Sequence, residues 1–533
     1  MKKYIYLAKS IFIFLLAISF VSCSDFFDTD LADQYEVGKY YKDDEQAAKA
    51  LYGTYASVKE TVFGYDFISI TDAMSDDMLF QGTDQARRSL TTLFFDTRNK
   101  YFVNMWASFY SVIQNANLLI DKIPRMQVTS DKSQRNQEVI LAEAKFIRAW
   151  AYFNLVQLWG EVPYISEPRY SVDGNIRPSK SSIEDIYMKI IKDLNEADVL
   201  DEEPYYVYIR GDDIGYQLAL TKGAVRLLKA KVYLAMKKYP ECIESVQYII
   251  DRFSDDGSSL YTLADYNKIF DVRYKTDAKR KKEVLWEIEA LAQTGYNNKS
   301  HREYAPKKVI AGCLTKGYQN YIPSTSLFEA FSKQPHDKRF VVNYQICDGV
   351  PCIFKRVDAV TTDQNLGAPN EILLRVSDAV LVYAEALNAI NKTNEAVLWI
   401  NKIRQRAGLI IKDGSQVTGD IKAGTPKNVI QDTILFERRL EFAHEGQRLF
   451  DLRRTGKLMD AIAKHNKEEQ RYMEAIKMVF AVPEGINETK SVELTVPFAE
   501  VTKNLSDRFL LHPIPTDEIQ SNPNLKPNNN GYN

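Results

Sequence analysis

The chain has 533 residues, 45% of them hydrophobic, and a formal net charge of -2 at neutral pH. That apolar content is enough for a large buried core. The slightly acidic balance argues against nucleic acid or an anionic lipid surface as the partner, because phosphate binding requires a basic face. The 5 histidines and 5 cysteines are few and include no CxxC pair, so we expect neither a metal site nor a cofactor.

The N-terminus predicts an exported protein. Lys2 and Lys3 precede an apolar run at 11–20, which is too short to span a bilayer comfortably. The run leads into Cys23, in the sequence FVSCSD, and further acidic residues follow. We therefore predict a lipoprotein signal peptide at 1–22 and a lipid on Cys23. A plain secretory signal, with Cys23 as an ordinary thiol, is the alternative.

Helical periodicity dominates the rest of the chain. Apolar residues recur at i, i+3, i+4 and i+7 in several segments. These segments are 46–59, 106–123, 139–159, 183–197, 221–237, 241–251, 372–390 and 395–406. Alanines such as Ala224 and Ala384 let neighbouring helices approach closely, and aromatics such as Tyr233 fill the remaining gaps. The pattern predicts a mostly α fold of about four stacked tetratricopeptide-like helix pairs.

Loops and short hairpins are predicted between and after these pairs, and together they form the expected ligand-binding surface. Segment 283–290 alternates like a short strand, whereas 291–325 is polar, aromatic and irregular. Insertions with hairpins are expected at 410–428 and 480–505, and the Pro/Asn-rich end should lie extended on the surface. The spacing of Cys347 and Cys352 leaves a hairpin disulfide open.

Five blocks of sequence carry a family resemblance. They are 23–28 (CSDFFD), 142–149 with 158–163 (AEAKFIRA, LWGEVP), 383–388 with 400–408 (YAEALN, INKIRQRAG), 437–454 (ERRLEF, EGQR, FDLRR) and 511–523 (LHPIP, EI, NP). Through them the chain resembles the SusD/RagB family over nearly its whole length. On this resemblance residues 23–533 are one SusD-like domain. Its expected parts are N-terminal helix pairs at 23–253, a loop-rich ligand-binding insertion at 254–370 and a C-terminal part at 371–533.

The resemblance implies a function as well as a fold. It implies an outer-membrane lipoprotein that faces the cell exterior and is not an enzyme. Such a protein captures oligosaccharides or polysaccharides and delivers them to a SusC-type TonB-dependent transporter. Capture of peptides, as in RagB-like members, is the alternative implied by the same scaffold. The blocks that carry the resemblance are scaffold motifs, so they identify the family and not the ligand.

The segment 437–454 is the best candidate for an enzyme active site. Glu441 and Glu445 lie one helical turn apart, as a pair of glycosidase carboxylates could. Arginines lie on every side of this pair, which favours ionised, hydrogen-bonded carboxylates with lowered pKa values. We therefore predict that the segment is structural, and a surface glycoside hydrolase remains the third hypothesis.

Two loop regions combine aromatic rings with amides and charges, the mixture that sugar binding favours. The first, at 64–82, and the second, at 294–321, supply the predicted ligand contacts. These are Tyr65 and Asp76 from the first region, and Tyr296, Asn297, Asn298, Arg302, Tyr304 and Tyr318 from the second. We favour the second region, centred on Tyr296, because adjacent amides can donate and accept hydrogen bonds. The competing interpretation is that these aromatics only pack the loops onto the scaffold.

Overall fold

A computed structural model of the protein describes residues 41–169, 177–203 and 220–532, apart from positions 311, 333, 335, 348–349, 414–415 and 472–502. The predicted signal peptide, Cys23 and most of the insertion predicted at 480–505 lie outside the described residues. Within the described part, no helix is long and apolar enough to cross a membrane.

The first half of the described chain is almost entirely helical. Its elements are α1 (Asp44–Phe63), α2 (Tyr65–Ile70), β1 (Met78–Phe80), α3 (Gln85–Thr91), α4 (Lys100–Lys122), α5 (Asp131–Trp159), α6 (Ile183–Ala197), α7 (Lys222–Ala235) and α8 (Tyr239–Ile250).

The second half mixes short helices and strands with two further long helices. Its elements are α9 (Tyr266–Ile269), α10 (Ala278–Glu283), β2 (Val284–Ile288), β3 (Tyr321–Pro323), α11 (Thr325–Ser332), α12 (Arg339–Asn343), β4 (Tyr344–Cys347), β5 (Val350–Ile353), β6 (Glu371–Arg375), α13 (Val376–Ala389), α14 (Thr393–Arg406), β7 (Ile411–Asp413), β8 (Gln416–Thr418), α15 (Lys427–Glu441), α16 (Arg448–Arg454), α17 (Leu458–Arg471) and α18 (Thr516–Ser521).

Side-chain caps fix where the long helices begin. Asp43 accepts a hydrogen bond from the backbone N–H of Gln46 at the start of α1. Ser130 and Ser182 do the same for α5 and α6. Such caps satisfy backbone donors that have no partner inside the helix, and each typically stabilises a helix by about 1 kcal/mol.

The predicted helix pairs are present, and the mostly α fold of stacked, tetratricopeptide-like pairs is confirmed. Helix α1 packs on α4, α5 on α6, α7 on α8 and α13 on α14. The alanines on their facing sides are completely buried, including Ala224 and Ala384. Large rings fill the space between pairs, and the Trp286 ring on β2 meets Phe146 of α5 edge-on at 5.0 Å. Small residues permit the close approach, and aromatics then restore packing density.

The strand predicted at 283–290 forms as β2, and its partner corrects the helix predicted at 372–390. Residues 371–375 are not helical but form β6, which pairs antiparallel with β2 from Val284↔Arg375 to Ile288↔Glu371. The helix starts only after Arg375, whose backbone is extended. The short apolar run before α13 fits both the helical and the strand periodicity of apolar residues. Tertiary pairing with β2 makes it a strand.

The C-terminal tail is the second correction, because it is docked rather than extended on the surface. Leu525 is 1% exposed, and Tyr532 is also buried. The Asn529 side chain donates to the backbone carbonyl of Trp159 at 2.8 Å, and Trp159 Nε1 donates to the carbonyl of Pro513 at 2.9 Å. Asparagines in the tail therefore bind backbone groups of the helical core, a role that composition alone does not reveal.

The other expectations on the second half have mixed outcomes. The hairpin expected in 410–428 is present as β7 and β8. Cys347 and Cys352 lie on the β4–β5 hairpin as thiols, opposite Val350 and Gln345 rather than each other. The three-part division of the domain stays a prediction. Tyr304, Tyr321 and Phe331 of the loop-rich region belong to a second hydrophobic cluster, which also includes Met78, Phe80 and Leu440 from outside that region.

Candidate functional site

The loop that follows β2 is held at its base by backbone contacts. The backbone N–H of Asn298 donates to the carbonyl of Gly367 at 2.8 Å, and its side chain donates to the carbonyl of Pro369 at 3.1 Å. Its Oδ1 accepts from the N–H of Ser300 and so caps a 3-10 turn at Lys299–Glu303. Asn298 is 2% exposed. This predicted ligand contact is therefore corrected to a residue that fixes the turn carrying Arg302.

Tyr304 is also corrected from a ligand contact to a packing residue. It is completely buried, and its ring stacks on that of Tyr321 with centroids 5.7 Å apart. The Arg356 guanidinium lies 5.3 Å from the Tyr304 ring centre on the protein side. A ligand at the surface cannot reach a ring enclosed in this way, so the packing interpretation is right here.

Tyr65, Arg302, Tyr318 and Asn365 meet at one place on the surface, which we call the Arg302 shelf. Arg302 donates to the Tyr65 hydroxyl at 2.5 Å and to Asn365 Oδ1 at 2.9 Å. Its guanidinium lies 5.3 Å from the centre of the Tyr318 ring, which is 41% exposed. The structure thus joins the two predicted loop regions, one through Tyr65 and the other through Arg302 and Tyr318.

The support of the Arg302 shelf comes from Arg87, which sequence reasoning missed, and from Asn297, which it predicted as a ligand contact. Arg87 on α3 lies 5.2 Å from the centre of the Tyr65 ring and donates to Glu303 at 2.7 Å. Asn297 is nearly buried, and its side chain donates to the backbone carbonyl of Asn365 at 2.5 Å. Asn297 therefore positions the loop that presents Asn365. The only sequence signal for Asn365 was the polar, Gly/Pro-containing composition around it.

Tyr296, which is not one of the four residues of the Arg302 shelf, lies next to α1. Its half-buried ring is 5.6 Å from the Lys59 ammonium, which also donates to the carbonyl of Gly295 at 2.5 Å. The backbone N–H of Leu291 donates to the carbonyl of Tyr296, closing a tight turn. Gly295 takes a positive φ of 86° in that turn, a conformation that favours glycine. Tyr296 thus holds one end of the loop, and its role as a ligand contact stays a prediction.

Asp76 is the clearest correction among the predicted ligand contacts. It is 3% exposed and accepts two hydrogen bonds from Arg448, at 2.8 and 2.9 Å, with Arg439 at 3.1 Å. Burial alone would raise the pKa of Asp76, but the two arginines outweigh burial and hold that pKa well below its usual value. Asp76 is an internal ion-pair partner and not a surface ligand contact.

The carboxylates of segment 437–454 form a buried ion-pair network, as the sequence predicted. Glu441 is completely buried and lies 2.5 Å from Arg375 and 3.3 Å from Arg339, with Arg406 as a further partner. Burial alone would raise the pKa of Glu441, but the surrounding arginines hold it well below its usual value. The pKa of Glu445, 2.7 Å from Arg375, is lowered in the same way. A glycosidase acid needs a raised pKa, so this pair lacks that chemistry.

The described residues offer no cluster that could form a metal centre. No group of three or more His, Cys, Asp or Glu in the described ranges could hold a metal ion. His444, beside Glu445, is buried and hydrogen-bonded to the Tyr344 hydroxyl at 2.8 Å, and burial lowers its pKa well below the usual value. A neutral, enclosed histidine of this kind packs the core and contacts no solvent.

Two family models match the two halves of the chain. Residues 40–234 match the model described as "Starch-binding associating with outer membrane". Residues 342–532 match the model described as "SusD family". SusD-like protein P2 of Formosa agariphila is 25% identical over 100% of both chains. A SusD-like protein of Bacteroides ovatus is 25% identical over 84% of this chain and 82% of its own.

Solved structures agree in fold along almost the whole chain. A SusD homolog from Bacteroides thetaiotaomicron superposes with a TM-score of 0.73 at 20% identity, covering 93% of this chain and 99% of that one. A laminarin-binding SusD-like protein gives a TM-score of 0.69 at 22% identity, covering 92% and 100%. From the two family models and the relatives matched along most of their length, the chain belongs to the SusD family.

Proposed function

We propose that the protein captures a glycan at the cell surface and that the Arg302 shelf is its binding site. The observation that carries this proposal is the meeting of an exposed tyrosine ring, a guanidinium and an exposed amide at one surface. Tyr318 offers a face for the apolar side of a sugar ring. Arg302 donates hydrogen bonds to hydroxyl groups, and Asn365 both donates and accepts them.

Two further observations support a binding role over a catalytic one. One solved neighbour is a laminarin-binding SusD-like protein, which favours a polysaccharide as the ligand. The paired carboxylates that first suggested hydrolysis are held ionised by arginines, and Glu441 is completely buried. Weak, reversible capture through a shallow polar and aromatic surface requires no acid or nucleophile.

The site is tested by a binding screen of glycans and peptides on a form lacking residues 1–23. We expect an oligosaccharide to bind, and Tyr318→Phe, which keeps the ring, to retain most of the affinity. Binding of peptides with no glycan bound would replace this proposal with peptide capture. Release of reducing sugar during incubation would favour a glycoside hydrolase instead.

The cellular part of the proposal concerns attachment and delivery. We infer that a lipid on Cys23 holds the protein at the outer face of the outer membrane, in line with the family description. There it would pass its ligand to a SusC-type TonB-dependent transporter. Cys23→Ala should move the protein from the membrane fraction to the soluble fraction. Unchanged membrane association, with no lipid on the N-terminal peptide by mass spectrometry, would contradict the anchor.

A further inference from the structure

Segment 294–321, which supplies Arg302 and Tyr318 to the Arg302 shelf, is basic, although the chain as a whole is slightly acidic. Segment 294–321 has one acidic residue, Glu303, and Arg87 neutralises it at 2.7 Å. Its basic residues are Lys299, Arg302, Lys307, Lys308 and Lys316. An excess of positive charge at a binding surface raises the local concentration of anions and favours anionic ligands.

Arg302 differs from the buried arginines because no described carboxylate neutralises it. Its two hydrogen-bond acceptors, the Tyr65 hydroxyl and Asn365 Oδ1, are both uncharged. Its Nε is buried without a hydrogen-bond partner. A guanidinium has five N–H donors, so two remain after these three are accounted for. Those two donors and the full positive charge are available to a ligand.

Two exposed lysines lie close to Arg302 through backbone contacts. The N–H of Tyr318 donates to the carbonyl of Arg302 at 2.7 Å, and the N–H of Gly317 donates to the carbonyl of Pro306 at 2.6 Å. These bonds bring the backbone of Lys316 and Lys307, the chain neighbours of Gly317 and Pro306, close to the backbone of Arg302. Both lysine side chains are exposed. An exposed ion pair is worth at most about 1 kcal/mol, so several such charges are needed to select a ligand.

The acids next to the shelf residues in sequence already have other partners. Asp66, which follows Tyr65, accepts from the Asn104 side chain at 2.8 Å, and burial raises its pKa. Asp363 accepts from the backbone N–H of Asn365 at 2.8 Å and so closes the loop that presents that residue. Among the described residues, neither carboxylate forms an ion pair with Arg302.

We propose that the glycan bound at the Arg302 shelf is anionic and carries a uronate carboxylate or a sulfate ester. This inference rests on the proposed glycan-binding function and names its ligand class. The Tyr318 ring receives the face of a sugar residue, while the anionic substituent takes the two remaining donors of Arg302. Lys307 and Lys316 add attraction that depends on salt concentration.

The experiment compares charge-matched glycans on the intact chain purified in detergent. The pairs are oligogalacturonate with its methyl ester, alginate oligomers with carboxyl-reduced alginate oligomers, and dextran sulfate with dextran. The uronate and sulfate pairs separate the two sources of the anion. We expect the anionic member of at least one pair to bind at least about fivefold more tightly at low salt, and this preference to shrink as NaCl is raised.

The matched variants are Arg302→Gln and Lys132→Gln, the latter an exposed lysine on the first turn of α5. Arg302→Gln should weaken binding of the anionic glycan about fivefold more than binding of its neutral counterpart, whereas Lys132→Gln should change neither affinity. Equal affinity within every pair, with neutral glycans bound, overturns the anionic ligand but leaves glycan capture standing. Absence of binding to every glycan in the panel overturns both.

Discussion

Arginines meet aromatic rings in two regions of this protein, and the two regions have opposite surroundings. In the buried network, Arg375 lies 4.5 Å from the centre of the Phe442 ring and contacts Glu441 and Glu445. On the Arg302 shelf, Arg302 lies 5.3 Å from the centre of the Tyr318 ring and contacts only uncharged acceptors. The chemical groups are alike, but the network is internally neutralised and the shelf is not.

This difference separates a region that serves the fold from the region that we propose as the ligand site. A buried charge is tolerated only when partners replace the water it has lost, so the network must be complete within the chain. Arg302 is half-buried and has only uncharged acceptors among the described residues, so its charge stays available to an incoming group. The paired carboxylates that resemble an active site in sequence are thus part of the scaffold.

The largest expected effect comes from removing a carboxylate of the network. Glu441→Ala leaves Arg375, Arg406 and Arg339 buried with fewer partners, and should lower the free energy of unfolding by about 3–5 kcal/mol. Urea denaturation measures this loss. Asp432→Ala, at an exposed acid on the same helix, is the matched control and should change stability little. An undiminished stability together with loss of a hydrolytic activity would restore the enzyme hypothesis.

A second expected effect is on the pH dependence of stability. It comes from a buried carboxyl group that has no arginine partner among the described residues. Glu143 on α5 is buried and accepts from the Tyr55 hydroxyl at 2.6 Å, and burial raises its pKa from 4.5 to about 8. Between these values the folded protein keeps a proton that the unfolded chain releases, so stability falls as pH rises. Glu143→Gln should remove this slope, on the order of 1 kcal/mol per pH unit.

Urea midpoints between pH 5 and pH 8 measure the slope for Glu143→Gln and for the wild type. Glu138→Gln, at an exposed position on the same helix, provides the control and should keep the wild-type slope. If the stabilities of the wild type and of Glu143→Gln both rise in parallel over this pH interval, Glu143 is not neutral in the folded protein.

The smallest expected effect is at Tyr296, the residue that the sequence favoured. Its ring lies beside Lys59 and its backbone closes a turn, so Tyr296→Ala should lower the melting temperature slightly. Glycan affinity should stay within about twofold, well under the tenfold that corresponds to 1.4 kcal/mol. A loss of affinity larger than that of Tyr318→Ala would move the site to the 294–298 end of the loop.

The fold was largely predictable, because helical periodicity is a local property. The segment 183–197 was predicted with the bounds that α6 has, and other long helices differed by a few residues at their ends. Errors arose where distant segments decide local structure. Residues 372–375 became a strand through pairing with β2, and the C-terminal tail docked through Asn529 and Leu525.

The candidate site was less predictable, because composition cannot distinguish an enclosed side chain from an exposed one. Tyr304 and Tyr318 have the same chemistry and lie in the same loop, yet one is completely buried and the other 41% exposed. Asp76 looked like a ligand contact until its partners Arg439 and Arg448 were located, more than 350 positions along the chain. Burial and long-range pairing, which only the folded chain provides, separate these residues.

The most direct test of the account is a calorimetric titration of Tyr318→Ala with a bound glycan, alongside a thermal melt. Loss of the exposed ring should weaken binding by about 1–3 kcal/mol and leave the melting temperature unchanged. Tyr274→Ala, at a tyrosine that is 36% exposed on another part of the surface, should change neither quantity. Unchanged glycan affinity with a lowered melting temperature for Tyr318→Ala would contradict the claim that the Arg302 shelf binds the ligand.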